Sequence, residues 1–278
     1  MTNRLQDHSL REVPATVTTP RYERRGISTG IVHLGPGAFH RAHQAWFIEK
    51  LLERDPRWGI CGVSLRRRDV RDTLSEQDNL YTLAVRDEEI SYQVIGALRA
   101  LLVAPENPGV VLRELCAPTT HVVTITVTEK GYCLAGDGSL DLSHPDIQHD
   151  LRSPRAPASV AGFLTEALRQ RRDARLAPFV VISCDNLTNN GRKLAKATAQ
   201  FARGIDGALA DWIEGEVSFP TTMVDSITPA TTPELERSVE AALGLRDRWP
   251  VQRESFVQWV VERGSPGARS DVMPDWES

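Results

Sequence analysis

Gly30-Ile31-Val32-His33-Leu34-Gly35-Pro36-Gly37-Ala38-Phe39-His40 is the stretch on which the fold turns. Gly30 to Leu34 is a short apolar run ending at glycine, the pattern of a buried strand. Over residues 40–54, Ala45, Ile48, Leu51 and Leu52 recur at helical spacing, while Glu49, Lys50 and Glu53 lie off that stripe, and Pro56 closes the helix. Ile60-Cys61-Gly62-Val63-Ser64-Leu65 is a second apolar run. Residues 26–65 therefore read as strand, glycine turn, helix and strand, a βαβ unit. In such a turn Gly35 and Gly37 let backbone approach a pyrophosphate. The helix that opens at Ala38, Phe39 and His40 offers free N–H groups and positive dipole. A tight strand-to-helix turn with no ligand fits the same residues, and His40 stands where the third glycine of the dinucleotide fingerprint is expected.

The second strand ends in Leu65-Arg66-Arg67-Arg68-Asp69. An acid there reads the adenosine ribose, so Asp69 is a candidate for its hydroxyls. Arg66 and Arg68 are candidates for a 2′-phosphate, because guanidinium matches phosphate geometry. A solvated basic patch fits as well. NAD and NADP thus stay open as cofactors.

Further along, Tyr81 to Val85 and Ser91 to Ile95 flank a charged turn and suggest a hairpin. Residues 107–116 suggest a short helix. Val122 to Val127, rich in Val, Ile and Thr, predicts a strand. Residues 135–157, full of Gly, Asp, Ser and Pro, predict a long loop. Helical spacing returns over 158–173. Phe179 to Cys184 predicts a buried strand. A long helix is expected over 192–214, with Leu194, Ala197, Phe201, Ile205, Leu209 and Trp212 inward, and another over 233–243. Phe256 to Val261 is apolar and β-prone, a strand that wants a partner surface. Strands alternating with helices predict an α/β, Rossmann-type fold, a mostly parallel sheet with helices on both faces. The expected organisation is an irregular arm at 1–25, a dinucleotide-binding domain at 26–262 and an unpatterned tail at 263–278.

The totals exclude several classes. The net charge of -4 argues against nucleic acid, whose binding needs a basic excess. No stretch reaches the length of a membrane span, and Met1 to Thr19 lacks the apolar core of a signal peptide. A cytoplasmic protein is expected; its oligomeric state is open, a monomer included. Cys61, Cys116, Cys133 and Cys184 are scattered and never form a CxxC pair, which reads as free thiols rather than a disulfide framework or zinc site. His40 and His43 share a helix start, but no acid or cysteine nearby completes a metal set, so no metal is expected.

Polar residues at strand ends are the remaining candidates. Asn186, in Ser183-Cys184-Asp185-Asn186-Leu187, is placed to donate an amide hydrogen to substrate or nicotinamide. Turn chemistry explains it as well. Lys130, in Thr126-Val127-Thr128-Glu129-Lys130-Gly131-Tyr132, is an acid–base candidate, although lysines at strand ends are commonly just exposed. Asp225 is a further strand-end candidate.

These blocks carry a resemblance. Residues 35–43 (GPGAFHRAH), 126–132 (TVTEKGY), 183–191 (SCDNLTNNG), 219–225 (FPTTMVD) and, more briefly, Phe256 to Glu262 stand in the order found in the mannitol dehydrogenase family of polyol-specific long-chain dehydrogenases. That family includes mannitol 2-dehydrogenase, fructuronate reductase and tagaturonate reductase. The resemblance covers about residues 22–262. It implies NAD or NADP as cofactor, and as partner a small sugar alcohol or sugar acid, a hexitol or hexonate oxidised at a secondary alcohol, or the reverse. It also implies that Asn186 helps form the oxyanion site and that Asp225 lies near the nicotinamide. Arg68 replaces an acid common in the family, which weakens an NAD-only assignment, and Ser226 replaces an arginine.

Family members continue into a C-terminal helical catalytic domain with a lysine, a second asparagine and a histidine. That domain has no counterpart here, because the similarity fails just after Glu262. The expectation is a truncated or frame-shifted dehydrogenase with negligible turnover on its own, to be checked by whole-protein mass. The competing expectation is a non-catalytic nucleotide-binding module or remnant that needs a partner.

Overall fold

The computed structural model describes residues 3–263. Their strands are β1 (Thr29–Leu34), β2 (Gly59–Ser64), β3 (Tyr81–Arg86), β4 (Ile90–Ile95), β5 (Leu98–Val103), β6 (Val122–Ile125), β7 (Val180–Ser183), β8 (Thr222–Asp225), β9 (Val251–Glu254) and β10 (Gln258–Val261). Their α-helices are α1 (Ala38–Ala42), α2 (Gln44–Leu52), α3 (Asp69–Leu74), α4 (Pro108–Cys116), α5 (Pro145–Arg152), α6 (Val160–Asp173), α7 (Asn190–Arg203), α8 (Gly207–Glu216) and α9 (Pro233–Leu243). None of the described helices is long and apolar enough to cross a membrane.

The central sheet has five strands in the order β5-β2-β1-β6-β7, all parallel. β1, β2, β6 and β7 are buried along nearly their whole length, which is why they read as unbroken apolar runs. The period of two sorts their side chains between the faces. Val32, Leu34, Val63, Val123 and Val181 pack with Leu112 of α4, Phe163 of α6, Leu194 of α7 and Leu209 of α8. Ile31, Ile60, Val122 and Ile182 turn the other way, against Ala45, Ile48 and Leu52 of α2 and Tyr81 and Leu83 of β3. This is a Rossmann fold with helices on both faces. Chain order reverses between β1 and β6, so the crevice at their carboxyl ends is the topological switch point where ligands bind such sheets.

The second face also carries a three-stranded sheet, β4-β3-β9. The β3–β4 hairpin forms as expected, from Tyr81↔Ile95 to Arg86↔Ile90. β3 then gains β9 as a parallel neighbour, with Leu83 opposite Val251. Leu5 and Val17, from the N-terminal stretch, are buried in a further cluster with Leu80, Val94, Leu235 and Leu243. β10 pairs antiparallel with β8.

Several expectations need correction. The helix predicted over 40–54 is two helices that break at His43, whose φ of -119° and ψ of -88° are not helical. Tertiary contacts hold that break: the His43 ring bonds the Gln258 carbonyl through Nε2 at 2.9 Å and stacks on Phe39. The long helix predicted over 192–214 is α7 and α8, separated where Asp206 caps Ala208 and Leu209. Ile205 falls in that break and is exposed. The loop predicted over 135–157 contains α5. Asp150, buried at its end, accepts from the Ala158 and Ser159 amides, both at 2.8 Å. The tail expected at 263–278 lies, apart from Arg263, outside the described residues.

Candidate functional site

At the switch point lies a cavity of about 350 Å³, bordered among others by Gly35, Gly37, Ser64, Asp69 and Thr126. Gly35 has a φ of +95°, and a Cβ there would lie 2.2 Å from the Thr126 carbonyl oxygen. Only glycine lets β1 leave the sheet this close to β6. The Gly35 carbonyl accepts from the Gly37 N–H at 2.7 Å and from the Thr126 hydroxyl at 2.7 Å. Gly37 is different: its φ is -73°, and the nearest atom to an added Cβ is 3.9 Å away. Among the described residues, nothing demands glycine at 37. The open space above it, beside the first N–H groups of α1, suits a pyrophosphate. These residues fit a dinucleotide.

Ala38, Phe39 and His40 do not border this cavity. The contact expected of His40 is through its backbone at the start of α1, not through its side chain. Its ring is fully buried beneath the turn and stacks on His33 at 3.4 Å, with no hydrogen bond to either ring nitrogen. His33 in turn bonds Thr124 Oγ1 at 2.7 Å and Thr126 Oγ1 at 2.9 Å, which fastens the turn to β6. Burial pushes His33 down to about 3, and burial with the neighbouring His33 pushes His40 well below the ordinary imidazole range.

At the end of β2, Arg66, Arg67 and Asp69 border the cavity, and Arg68 does not. Arg68 points to Asp72, at 3.2 Å. Arg66 pairs with Asp146 of α5, another residue of the cavity wall. Sequence reasoning missed Asp146, Thr126, Ser159 and Trp249 as wall residues. Thr126 lay inside a quoted block. Trp249 arrives from far along the chain, and no local pattern announces it.

Asn186 is exposed just beyond β7, and Asp225 is exposed at the end of β8, opposite Gln258. Neither borders the cavity, so the site residues expected from sequence fall into two groups. Asp225 lies near His43, where its charge opposes the burial that lowers the imidazole to about 4. Lys130 is exposed and also lies off the cavity wall. The polar residues that organise this region are neighbours of those predicted. Asp185 accepts from the Tyr132 hydroxyl at 2.6 Å and from the Val127 amide at 3.1 Å, tying the loop after β6 to the end of β7. Burial and the Asp185 charge push the Tyr132 phenol up. Asn190 is buried, and its amide donates to the Asp185 and Thr222 carbonyls, each at 3.1 Å. Its carbonyl accepts from the Gly191 amide at 2.7 Å and the Thr222 amide at 3.0 Å, locking β7, α7 and β8 together.

Residues 29–274 match the family model described as the mannitol dehydrogenase Rossmann domain. Over 97% of its length the chain is 40% identical to a polyol:NADP oxidoreductase of Gluconobacter oxydans, and it covers 59% of that protein. It is 43% identical to a D-mannonate oxidoreductase of Escherichia coli, over 94% of this chain and 54% of that protein. The Pseudomonas fluorescens mannitol 2-dehydrogenase, solved as a ternary complex with NAD and D-mannitol, superposes with a TM-score of 0.92 at 39% identity, over 99% of this chain and 56% of that one. The chain thus spans a little over half the length of these relatives. With this fold, this glycine turn and these matches, the chain belongs to the mannitol dehydrogenase family and spans its NAD(P)-binding Rossmann portion.

Proposed function

We propose that the cavity at the β1–β6 switch point holds NAD or NADP, and that the chain serves dehydrogenation of a secondary alcohol in a hexitol or hexonate. The observation that carries this is the contrast at the turn: Gly35 is required by contact with Thr126, whereas Gly37 fronts open space. The relatives' names, which include a polyol and D-mannonate, support the substrate class.

The bound dinucleotide supplies the centre that accepts or donates hydride. Asp69 would accept from the adenosine ribose, and Arg66 and Arg67 would neutralise a 2′-phosphate. Asn186 donates its amide to the developing oxyanion, a contact whose loss typically costs about 3 kcal/mol of transition-state stabilisation. Asp225 would lie near the nicotinamide. The chain covers little more than half the length of the relatives it matches, and the behaviour expected of the 278-residue chain tested alone is dinucleotide binding with negligible turnover of polyol.

Calorimetric titration with NADH and NADPH, followed by rate assays with mannitol and fructuronate, tests this. Tight binding without turnover is the expected result. One observation favours a second reading, a remnant that needs a covering partner: Met223, Ile227, Phe256 and Val260 are large apolar side chains left exposed on and beside β8 and β10. Absence of dinucleotide binding, together with aggregation, would favour that reading. A robust rate on protein of confirmed mass would overturn the prediction of inactivity.

A further inference from the structure

We propose that Cys133, His144 and Asp146 form a zinc site at the wall of the cavity. Among the described residues these three bring one ligand atom each within 4.8 Å of one another. Tetrahedral zinc, with bonds of about 2.0–2.3 Å, draws its donors somewhat closer than that, a contraction within reach of side-chain rotation. A thiolate with an imidazole selects zinc or cobalt over magnesium or calcium, which prefer oxygen donors.

The loop that carries the three is already closed. Cys133 sits at a φ of +53°, and its carbonyl accepts from the Asp141 amide at 2.8 Å. The Asp141 carbonyl accepts from the His144 amide at 3.1 Å, and Leu134 bridges to Leu140. His144 then caps α5, with Asp146 in its first turn. The loop backbone sets the three positions, and the His144 ring accepts from the Asp146 amide through Nδ1 at 3.3 Å. Their spacing of ten residues and then one resembles no linear zinc motif, so the folded loop alone brings them together.

Two features oppose a metal and fix what the test must read. Burial pushes the Cys133 thiol up to about 11, so metal must displace its proton on binding. Arg66 already pairs with Asp146, but the Arg66 side chain is 65% exposed, and such surface pairs are worth little. A carboxylate also has a second oxygen to offer. Cys133 and Asp146 both border the cavity, so a metal held there keeps a fourth position for water or for an oxygen of whatever fills it.

Cobalt(II) titration of the chelator-treated 278-residue chain tests the site without reference to dinucleotide or turnover. The expected result is a thiolate-to-cobalt charge-transfer band that zinc bleaches by displacement. Cys133→Ser abolishes the band, and Cys116→Ser, which alters a thiol outside the cluster, leaves it intact. His144→Gln weakens cobalt binding at least about tenfold, and Arg66→Ala tightens it by up to about fivefold by releasing Asp146. No charge-transfer band, or a band that survives Cys133→Ser, overturns the proposal.

Discussion

The imidazole of His33 lies flat against that of His40, with ring centroids 3.4 Å apart and planes 14° from parallel. Stacked this closely and shut off from water, the two rings cannot both carry charge. They form a neutral plug under the glycine turn, joined to β6 through Thr124 and Thr126.

This plug sets an acid limit. In the unfolded chain each imidazole takes a proton near 6.5, whereas folding holds His33 down to about 3 and His40 well below its ordinary range. Their contribution to stability is complete above about 6.5 and declines as pH falls below it. Removing one such group with His40→Leu should flatten the dependence by about 1.4 kcal/mol per pH unit on the acid side. Urea midpoints at pH 7, 6 and 5 measure this, and parallel slopes for parent and variant would contradict it.

Glu49 should act in the opposite direction. It is buried, accepts from the Tyr22 hydroxyl and the Gly96 amide, each at 2.8 Å, and burial lifts its carboxyl to about 7. Because the folded value lies above the unfolded one, stability is full below about 4.5 and declines as pH rises to 7. Glu49→Gln should therefore match the parent at pH 4 and exceed it by about 3 kcal/mol at pH 8. A constant offset across that range would refute the assignment.

The two glycines of the turn should separate folding from binding. Gly35→Ala drives a methyl group into the Thr126 carbonyl at positive φ, a strain of about 1–3 kcal/mol before any clash, and should lower both stability and dinucleotide affinity. Gly37→Ala meets no such obstacle, so its stability should stay within about 0.5 kcal/mol of the parent. Its NADH affinity should still fall about tenfold, because the new methyl stands where phosphate approaches. Undiminished binding by Gly37→Ala would remove the main support for the phosphate site.

Asn190 and Asn186 should behave as opposites. Asn190→Ala leaves the Thr222 and Gly191 amides without their buried acceptor, which should cost about 3 kcal/mol or more. Asn186 is exposed, so Asn186→Ala should leave thermal unfolding unchanged. Melting temperatures decide this, and equal losses for the two variants would mean that the roles are misassigned.

Cofactor choice should follow the end of β2. Arg67→Ala should weaken NADPH about tenfold while sparing NADH, and Asp69→Asn should weaken NADH more than NADPH. Calorimetric titration of each variant with both dinucleotides gives the ratio, and a ratio unmoved by either change would place the adenosine elsewhere.

The β1-turn-helix unit was legible in sequence because its signal is local: an apolar run, a glycine turn and a helical stripe. β5 was not. Leu98-Arg99-Ala100-Leu101-Leu102-Val103 consists mostly of good helix formers, and it is a strand only because it completes a parallel ladder with β2, Ala100 opposite Cys61. The break at His43 is equally silent, since the groups that hold it, Gln258 and Trp259, lie near the far end of the described chain. At the site, the blocks containing Thr126 and Asn186 were visible, but their division of labour was not. Asp185 and Asn190 look like turn residues beside Asn186, and only burial shows that they fasten β6, β7 and β8. Asp247, enclosed and held by Gln77 and Trp249, is likewise indistinguishable in sequence from a surface acid.

The parallel pairing of β3 with β9 has a consequence for synthesis. The β3–β4 hairpin leaves the ribosome early, with one side of β3 lacking its partner until Val251 to Glu254 have emerged. During that interval a nearly complete nucleotide fold carries an unzipped seam, open to chaperones or to the same seam on a neighbouring nascent chain. Any product ending before Val251 would keep that seam for life.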